Sequence, residues 1–159
     1  MKTSRLKNYG KINRNNVLSF TWDNKKYKGF EGDTLASALL ANNIGVVGRS
    51  FKYHRPRGIF SSGVEESGAL VTVGLKDRRD PNVRATTQEL YDGLKASGQN
   101  AFPNVNFDLA GINNYLGRFF ASGFYYKTFM GIPPFEWGKG TAIWMFFEKF
   151  IRKAAGMGS

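Results

Sequence analysis

The decapeptide RSFKYHRPRG, residues 49–58, is the first candidate for a binding site. It combines three Arg and one Lys with a His and two aromatic rings. This mixture is typical of nucleic-acid-binding surfaces, because Lys and Arg neutralise phosphates while aromatic rings stack on bases. It also suits a pyrophosphate or a carboxylate, since the planar guanidinium group binds both in bidentate fashion.

The net charge of +11 comes mostly from the first third of the chain. Residues 1–58 carry twelve Lys or Arg against three acidic residues, whereas the remainder carries eleven against nine. Three causes compete: nucleic acid, an anionic cofactor or acidic partner subunit, and solubility alone. Composition gives these three equal weight.

Few other side chains could do catalysis. The sequence has no Cys, which excludes disulfides, thiolate metal sites and thiol nucleophiles. His54 is the single His, and beside three Arg we expect it to stay neutral and to form a structural hydrogen bond. Glu65 and Glu66 are adjacent and point in different directions on most backbones, so we interpret them as solvated loop charges.

No segment of the sequence is typical of a membrane protein. The N-terminal MKTSRLKNYG has no apolar core of a secretory signal. The apolar run at residues 141–147 is far shorter than the roughly 20 residues that a membrane-spanning helix needs. We therefore expect a soluble, cytoplasmic protein.

Alternating apolar and polar residues predict an N-terminal hairpin that follows a polar arm of about a dozen residues. Residues 17–23, VLSFTWD, alternate as in a half-buried strand, and Asp23-Asn24 offers a turn into a second strand at 25–30. Asp33 is then placed to accept hydrogen bonds at the start of a helix of about ten residues, which Asn42 and Asn43 end. A strand at 69–73 completes the order of an α+β, β-grasp domain.

The second half of the sequence is less regular. Residues 77–82 either end the β-rich part or join its last strands, and residues 86–97 predict a short helix or irregular structure. Apolar spacing predicts a helix over 107–120 with Asp108 as its cap. The aromatic, Pro- and Gly-containing residues 123–138 predict an ordered loop. Residues 141–156 predict an amphipathic helix that packs against a following domain. We divide the chain into a domain at 1–88 and an irregular and helical extension at 89–159.

Five ordered blocks resemble the N-terminal segment of the alpha subunit of heterotetrameric sarcosine oxidase. They extend over nearly the whole chain, from about residue 29 to residue 156. The blocks are GDTLASALLANN, GRSFKYHRPRGIF, NVRATTQELYDGL, GFYYKTFM and IRKAAG.

The resemblance implies a two-iron-ferredoxin-like domain without its cluster. Relatives of this segment in other amine and opine-oxidising dehydrogenases have cysteines spaced C-x4-C-x2-C after "PRG", and a fourth after "VRA". These positions fall here on Ser61, Glu66, Ala69 and Thr86. Because these four side chains cannot replace four thiolates, we expect no cluster, no bound metal and no electron relay in this domain.

In the sarcosine oxidase family the alpha subunit continues into a dinucleotide-binding domain. The resemblance therefore implies that the basic residues lie near a dinucleotide cofactor or against the domain that holds it. An interpretation as ion pairs with acidic residues of neighbouring domains is favoured over cofactor contact, and nucleic acid is the least favoured. The residues concerned are Arg49, Lys52, Tyr53, His54, Arg55 and Arg57.

The leading hypothesis for function is a non-catalytic, structural or cofactor-supporting part of a sarcosine oxidase alpha subunit. The resemblance implies a parent complex that oxidises the N-methyl group of sarcosine, yields glycine, and contains NAD, FAD and FMN together with beta, gamma and delta subunits. The sequence reaches GMGS without a GxGxxG fingerprint, so we expect no bound cofactor and no oxidase turnover from this chain alone. The alternative is a small basic nucleic-acid-binding β-grasp module. A ferredoxin-type electron carrier is disfavoured by the missing thiols.

Overall fold

The computed structural model describes residues 3–119 and 141–154 of the 159-residue chain. Five strands form one mixed sheet: β1 (Asn13–Trp22), β2 (Lys25–Glu31), β5 (Leu70–Val73), β6 (Asp80–Arg84) and β7 (Lys95–Gly98), in the spatial order β2-β1-β7-β5-β6. Two further strands, β3 (Gly48–Arg49) and β4 (Pro56–Arg57), pair with each other. Helix α1 (Leu35–Ala41) follows β2, so the predicted α+β, β-grasp fold is confirmed.

The N-terminal hairpin forms as predicted because its two turn residues tolerate left-handed backbone. Asp23 and Asn24 have φ values of 45° and 66°, and Trp22 pairs with Lys25 across the turn. This turn geometry follows the right-handed twist of the flanking strands. The alternation of β1 buries Phe20 and Trp22 on one face of the sheet.

Helix α1 covers the sheet and closes the hydrophobic core. Leu35 and Leu39 are completely buried and belong to one cluster with Phe20 and Val71. The start of the helix corrects the prediction by one residue. Thr34, not Asp33, caps the helix: its hydroxyl accepts the Ser37 N–H, and the Ser37 hydroxyl accepts the Thr34 N–H in return.

Asp33 instead fixes the N-terminal arm. Its buried carboxylate accepts hydrogen bonds from both terminal nitrogens of Arg5, at 2.9 and 2.7 Å, and from the Phe30 N–H. The Arg5 guanidinium also lies 5.3 Å from the centre of the Phe30 ring. The arm is therefore attached to the domain along residues 3–5, where Thr3 and Ser4 donate to the Ala41 carbonyl.

The sequence predicts a short helix or irregular structure over residues 86–97. Residues 86–94 are turns and irregular structure, as predicted, but the prediction was wrong for residues 95–97, which belong to strand β7. β7 runs parallel to β1 and antiparallel to β5, so it lies in the middle of the sheet. Residues 77–79 lie between β5 and β6, and residues 80–82 begin β6, so the segment joins strands of the sheet, which is one of the two predicted alternatives. The sheet thus continues to Gly98. The division of the chain into a domain at 1–88 and an extension at 89–159 stays a prediction.

The described part of the extension contains short helical segments. The predicted helix over 107–120 is found as 3-10 turns at Leu109–Asn114 and Gly117–Phe119, and Asp108 caps the first of them by accepting the Ala110 N–H. The predicted C-terminal helix is present as α2 (Thr141–Ala154), with Phe146 and Phe150 more than half exposed. The predicted aromatic loop at 123–138 lies outside the described residues.

Candidate functional site

The basic loop, residues 49–57, comprises the end of β3, the connecting residues 50–55 and all of β4. It is closed by the Ser50 N–H, which donates to the Arg55 carbonyl, and by the His54 N–H, which donates to the Ser50 carbonyl. His54 itself adopts a φ of 54°, a conformation that Asn, Asp and His adopt more often than other residues with a side chain. The predicted cofactor-contact residues all lie on this one loop.

Arg49 points inward and holds the loop against the extension. Its guanidinium donates to the Val105 and His54 carbonyls, each at 2.9 Å, and lies 3.8 Å from the Asp108 carboxylate. Its side chain is 15% exposed. Arg49 therefore makes structural contacts within the fold, through Nε and one terminal nitrogen.

His54 forms the structural hydrogen bond that the sequence predicts. Its Nδ1 lies 2.7 Å from the carboxylate of Asp108, which is completely buried. Burial raises the pKa of the Asp108 carboxyl, but the hydrogen bonds from the Phe102 N–H and from His54 outweigh it, so the pKa lies below its ordinary value. Asp108 thus joins the basic loop to the extension, a role for which the sequence gives no signal because the two residues are 54 positions apart.

The other cations of the basic loop lie nearer its surface. The Lys52 ammonium and the Arg55 guanidinium lie 4.9 and 4.6 Å from the centre of the Tyr53 ring. The exposed Arg55 also donates to the side-chain oxygen of Asn114. Tyr53 therefore already carries two cations of its own loop over its ring.

Arg57 is exposed and lines a cleft beside the basic loop. The cleft has a volume of about 250 Å³, and its polar lining includes Asn82, Gln99 and Asn100. Gly68, in the loop that carries the predicted cluster positions, also lines the cleft. A guanidinium and several amides around one cleft could bind a carboxylate or phosphate group.

The predicted cluster positions come together around a second loop, residues 60–69, which we call the Glu66 loop. Ser61, Glu66 and Ala69 belong to this loop, and the Thr86 hydroxyl donates to its Gly63 carbonyl at 2.7 Å. Ala69 is completely buried and offers no side-chain donor. The four positions inferred from the cysteine spacing of the relatives therefore lie close together in the structure, in or beside the Glu66 loop.

The carboxylate of Glu66 fills the inside of this loop. Its Oε2 accepts the Phe60 N–H at 2.7 Å and the Ser61 N–H at 2.6 Å, and also lies 3.3 Å from the Ser61 hydroxyl. Its Oε1 accepts the Gly68 N–H at 2.5 Å and the Ala69 N–H at 3.2 Å. Four backbone N–H groups thus converge on one carboxylate.

This environment strongly favours the ionised form of Glu66. Burial raises the pKa of the carboxyl, but the hydrogen bonds from the loop N–H groups outweigh it and lower the pKa to about 2. Glu66 is 2% exposed, whereas its neighbour Glu65 is exposed. The interpretation of both residues as solvated loop charges was therefore wrong for Glu66.

The residues of the loop do not fit an iron-sulfur cluster. Such a cluster needs soft thiolate ligands, and the sequence has no Cys. The Glu66 oxygens are saturated by N–H donors, and the Thr86 hydroxyl is bound to a carbonyl. In addition, no group of three or more His, Asp or Glu that could hold a metal ion occurs within residues 3–119 and 141–154.

Residues 15–101 match the family described as "2Fe-2S iron-sulfur cluster binding domain". The chain belongs to this family. The matched range includes the whole Glu66 loop and Thr86, so this member of the 2Fe-2S domain family keeps the loop of the fold and has other residues at the ligand positions.

The predicted resemblance to sarcosine oxidase subunit alpha is confirmed. The chain is 53% identical over 158 residues to that subunit of Rhizobium meliloti (strain 1021), an alignment that covers 99% of this chain and 15% of the relative. It is 48% identical over 90 residues to the subunit of Corynebacterium sp. (strain U-96), which covers 55% of this chain and 9% of the relative. The chain therefore spans 15% or less of the length of these two relatives.

A solved structure is also similar. The crystal structure of L-proline dehydrogenase from P. horikoshii is 28% identical in sequence, with a TM-score of 0.45, over 55% of this chain and 16% of that chain.

Among the described residues, no helix is both long enough and apolar enough to cross a lipid bilayer.

Proposed function

We propose that this chain is the N-terminal part of a sarcosine oxidase alpha subunit and that its role is structural. The observation that carries the proposal is the Glu66 loop. A 2Fe-2S domain whose ligand loop is closed around its own carboxylate can pack and present charge, but it has no thiolates with which to hold an electron-carrying cluster. The 53% identity over nearly the whole chain supports the choice of parent protein.

In this proposal the chemistry belongs to the rest of the complex. The complex oxidises the N-methyl group of sarcosine, with glycine as one product, and its FAD, FMN and NAD are bound elsewhere. The partners of this chain are the remainder of alpha and the beta, gamma and delta subunits. The cytoplasmic localisation expected from the sequence stays a prediction.

We assign the outer face of the basic loop to contact with an anionic surface in this complex. Arg49 and His54 are turned to Asp108, whereas Arg55 and Arg57 are exposed and Lys52 is half-buried beside Tyr53. Acidic side chains of a neighbouring domain, or a dinucleotide held by that domain, fit this arrangement. Base stacking on Tyr53 fits less well, because two cations already lie over its ring.

Co-expression tests the proposal. The tagged chain is produced with beta, gamma, delta and the remainder of alpha as separate chains, and we expect it to co-purify with them while showing no sarcosine oxidation alone. Replacing Lys52, Arg55 and Arg57 together with Ala should lower the recovered complex by roughly tenfold, which corresponds to about 1.4 kcal/mol.

A matched control removes the same charge elsewhere. Lys25, Lys26 and Lys28 are exposed on β2, and their replacement with Ala should leave recovery unchanged. Failure of the wild-type chain to co-purify would contradict the proposal. Retention on single-stranded DNA or RNA at low salt, lost in the basic-loop variant only, would favour the nucleic-acid alternative instead.

A further inference from the structure

We propose that the Glu66 loop is a carboxylate-binding site whose ligand is the side chain of Glu66 itself. The site has taken the place of the metal cluster for which the family is named. Truncating Glu66 should therefore open a site for a small free monocarboxylate, with acetate as the best match. The inference concerns the loop alone and does not depend on the identity of the parent enzyme.

The donor geometry is that of a two-oxygen anion. The N–H groups of Phe60 and Ser61 converge on one oxygen of the carboxylate, and those of Gly68 and Ala69 converge on the other. A planar carboxylate can satisfy both pairs at once, whereas a chloride ion at either position leaves the other pair without an acceptor. Backbone N–H groups that point into one concavity form a general anion-binding arrangement.

Contacts that do not involve the Glu66 carboxylate hold the loop in place. The Ala85 N–H donates to the Ala69 carbonyl, and the Thr86 hydroxyl donates to the Gly63 carbonyl. The Arg84 guanidinium donates to the main-chain carbonyl of Glu66. We therefore expect the four N–H groups to keep their positions when the side chain is shortened.

Close packing also restricts the loop at Gly68. A Cβ atom on Gly68 would lie 2.8 Å from the Gly58 carbonyl oxygen, 2.9 Å from the Phe60 ring and 3.0 Å from the Glu66 carboxylate. The backbone therefore approaches the carboxylate more closely than a residue with a side chain allows. This approach brings the Gly68 N–H to 2.5 Å from Oε1.

The size of the ligand follows from the side chain that is removed. The change Glu66→Ala deletes one methylene and the carboxylate, which are the heavy atoms of acetate. Formate fills less of the space and should bind more weakly. In the native chain the covalent tether keeps the carboxylate at the site at all times, so the loop needs neither a metal nor a free anion.

The test measures the melting temperature of the full 159-residue Glu66→Ala chain at pH 7 in increasing sodium acetate, with sodium chloride at equal ionic strength. We expect acetate to raise the melting temperature by roughly 5 °C, with a rise that follows the logarithm of the acetate concentration, as for a ligand that binds only the folded state. Chloride should not, and the wild-type chain should respond equally to both salts. The change Glu65→Ala is the matched control, since Glu65 is exposed and should confer no acetate response.

An identical response of Glu66→Ala to acetate and chloride would overturn the proposal. If this variant is unfolded in plain buffer, the measurement becomes recovery of the native tryptophan fluorescence, to which the buried Trp22 contributes, on refolding in either salt. Recovery in acetate alone supports a carboxylate site, and equal failure in both salts refutes it.

Discussion

Replacing Glu66 with Gln should destabilise the fold in a way that depends on pH. Phe60 and Ser61 donate their N–H groups to one carboxylate oxygen. Gly68 and Ala69 donate theirs to the other. Either orientation of a Gln amide places its NH₂ group against two N–H donors, so no rotation of the side chain restores all four hydrogen bonds.

The magnitude follows from the pKa of Glu66. Its ordinary value of 4.5 falls to about 2 in the folded chain, and each unit corresponds to about 1.36 kcal/mol. The carboxylate thus contributes about 3 kcal/mol to the free energy of unfolding at pH 7, reduced somewhat because exposed loop residues surround it. Since the pKa is lower in the folded state, this stabilisation is present above about pH 4.5 and is lost as the pH falls through about 2.

Urea unfolding at several pH values between 7 and 3, followed by circular dichroism, measures this effect. Glu66→Gln should lose about 2–4 kcal/mol relative to the wild type at pH 7, and the difference should stay constant down to about pH 4.5 and shrink below that pH. The control Glu65→Gln alters an exposed neighbour and should stay within about 0.5 kcal/mol of the wild type. A loss for Glu66→Gln that is equal at pH 7 and pH 3 would refute the assignment of the effect to an ionised carboxylate.

Three further substitutions test other buried carboxylates. One oxygen of Asp23 is buried without a hydrogen-bond partner, and burial raises the pKa of this carboxyl. Asp23→Asn should therefore be neutral or stabilising by about 0.5–1 kcal/mol at neutral pH, and the gain should disappear in acid. Urea unfolding midpoints measured across pH check this. Arg5→Ala leaves the buried Asp33 carboxylate without its cation and should lower the free energy of unfolding by about 2–3 kcal/mol. It should also release the N-terminal arm, which faster tryptic cleavage within residues 1–12 would show. Arg5→Lys should recover part of the lost stability. Asp108→Asn removes the carboxylate that pairs with His54 and should lower the free energy of unfolding by about 1–3 kcal/mol at pH 7. The loss should be smaller in acid, because the pKa of Asp108 is lowered in the folded chain. A loss of stability in thermal melts that does not depend on pH would contradict this.

The parts of the fold that the sequence predicts are those with local causes. The alternation around Phe20 and Trp22, the Asp23-Asn24 turn and the α1 stop at Asn42 and Asn43 each depend on residues within a few positions. The cap was misplaced by one residue because Asp33 and Thr34 are both good N-caps, and only the pairing of Asp33 with Arg5 decides between them.

Strand β7 could not be predicted in the same way. Its four residues, KASG, bury only Ala96 fully and have little intrinsic preference for a strand. It is a strand because β1 and β5 pair with it on both sides. Pairing partners more than twenty residues away in sequence leave no local signal.

The two loops of the candidate site show the same limit. The spacing carried over from the family placed Glu66 at a ligand position, but Glu65 and Glu66 are equivalent in local composition, and only the curvature of the loop turns one of them inward. One signal in the sequence could have distinguished Glu66 from Glu65: Glu66 directly precedes three small residues, Ser-Gly-Ala. Small residues allow backbone N–H groups to approach a carboxylate closely.

Buried carboxylates also explain why the surface is more basic than the composition indicates. Four of the twelve acidic residues are directed into the fold, where they accept backbone N–H groups, and two of the four also pair with Arg or His side chains: Asp23, Asp33, Glu66 and Asp108. Their negative charge is directed into the fold, where it holds segments up to 75 residues apart. Arg55 and Arg57 of the basic loop are exposed, so a partner that brings its own negative charge should associate faster at low ionic strength than at high.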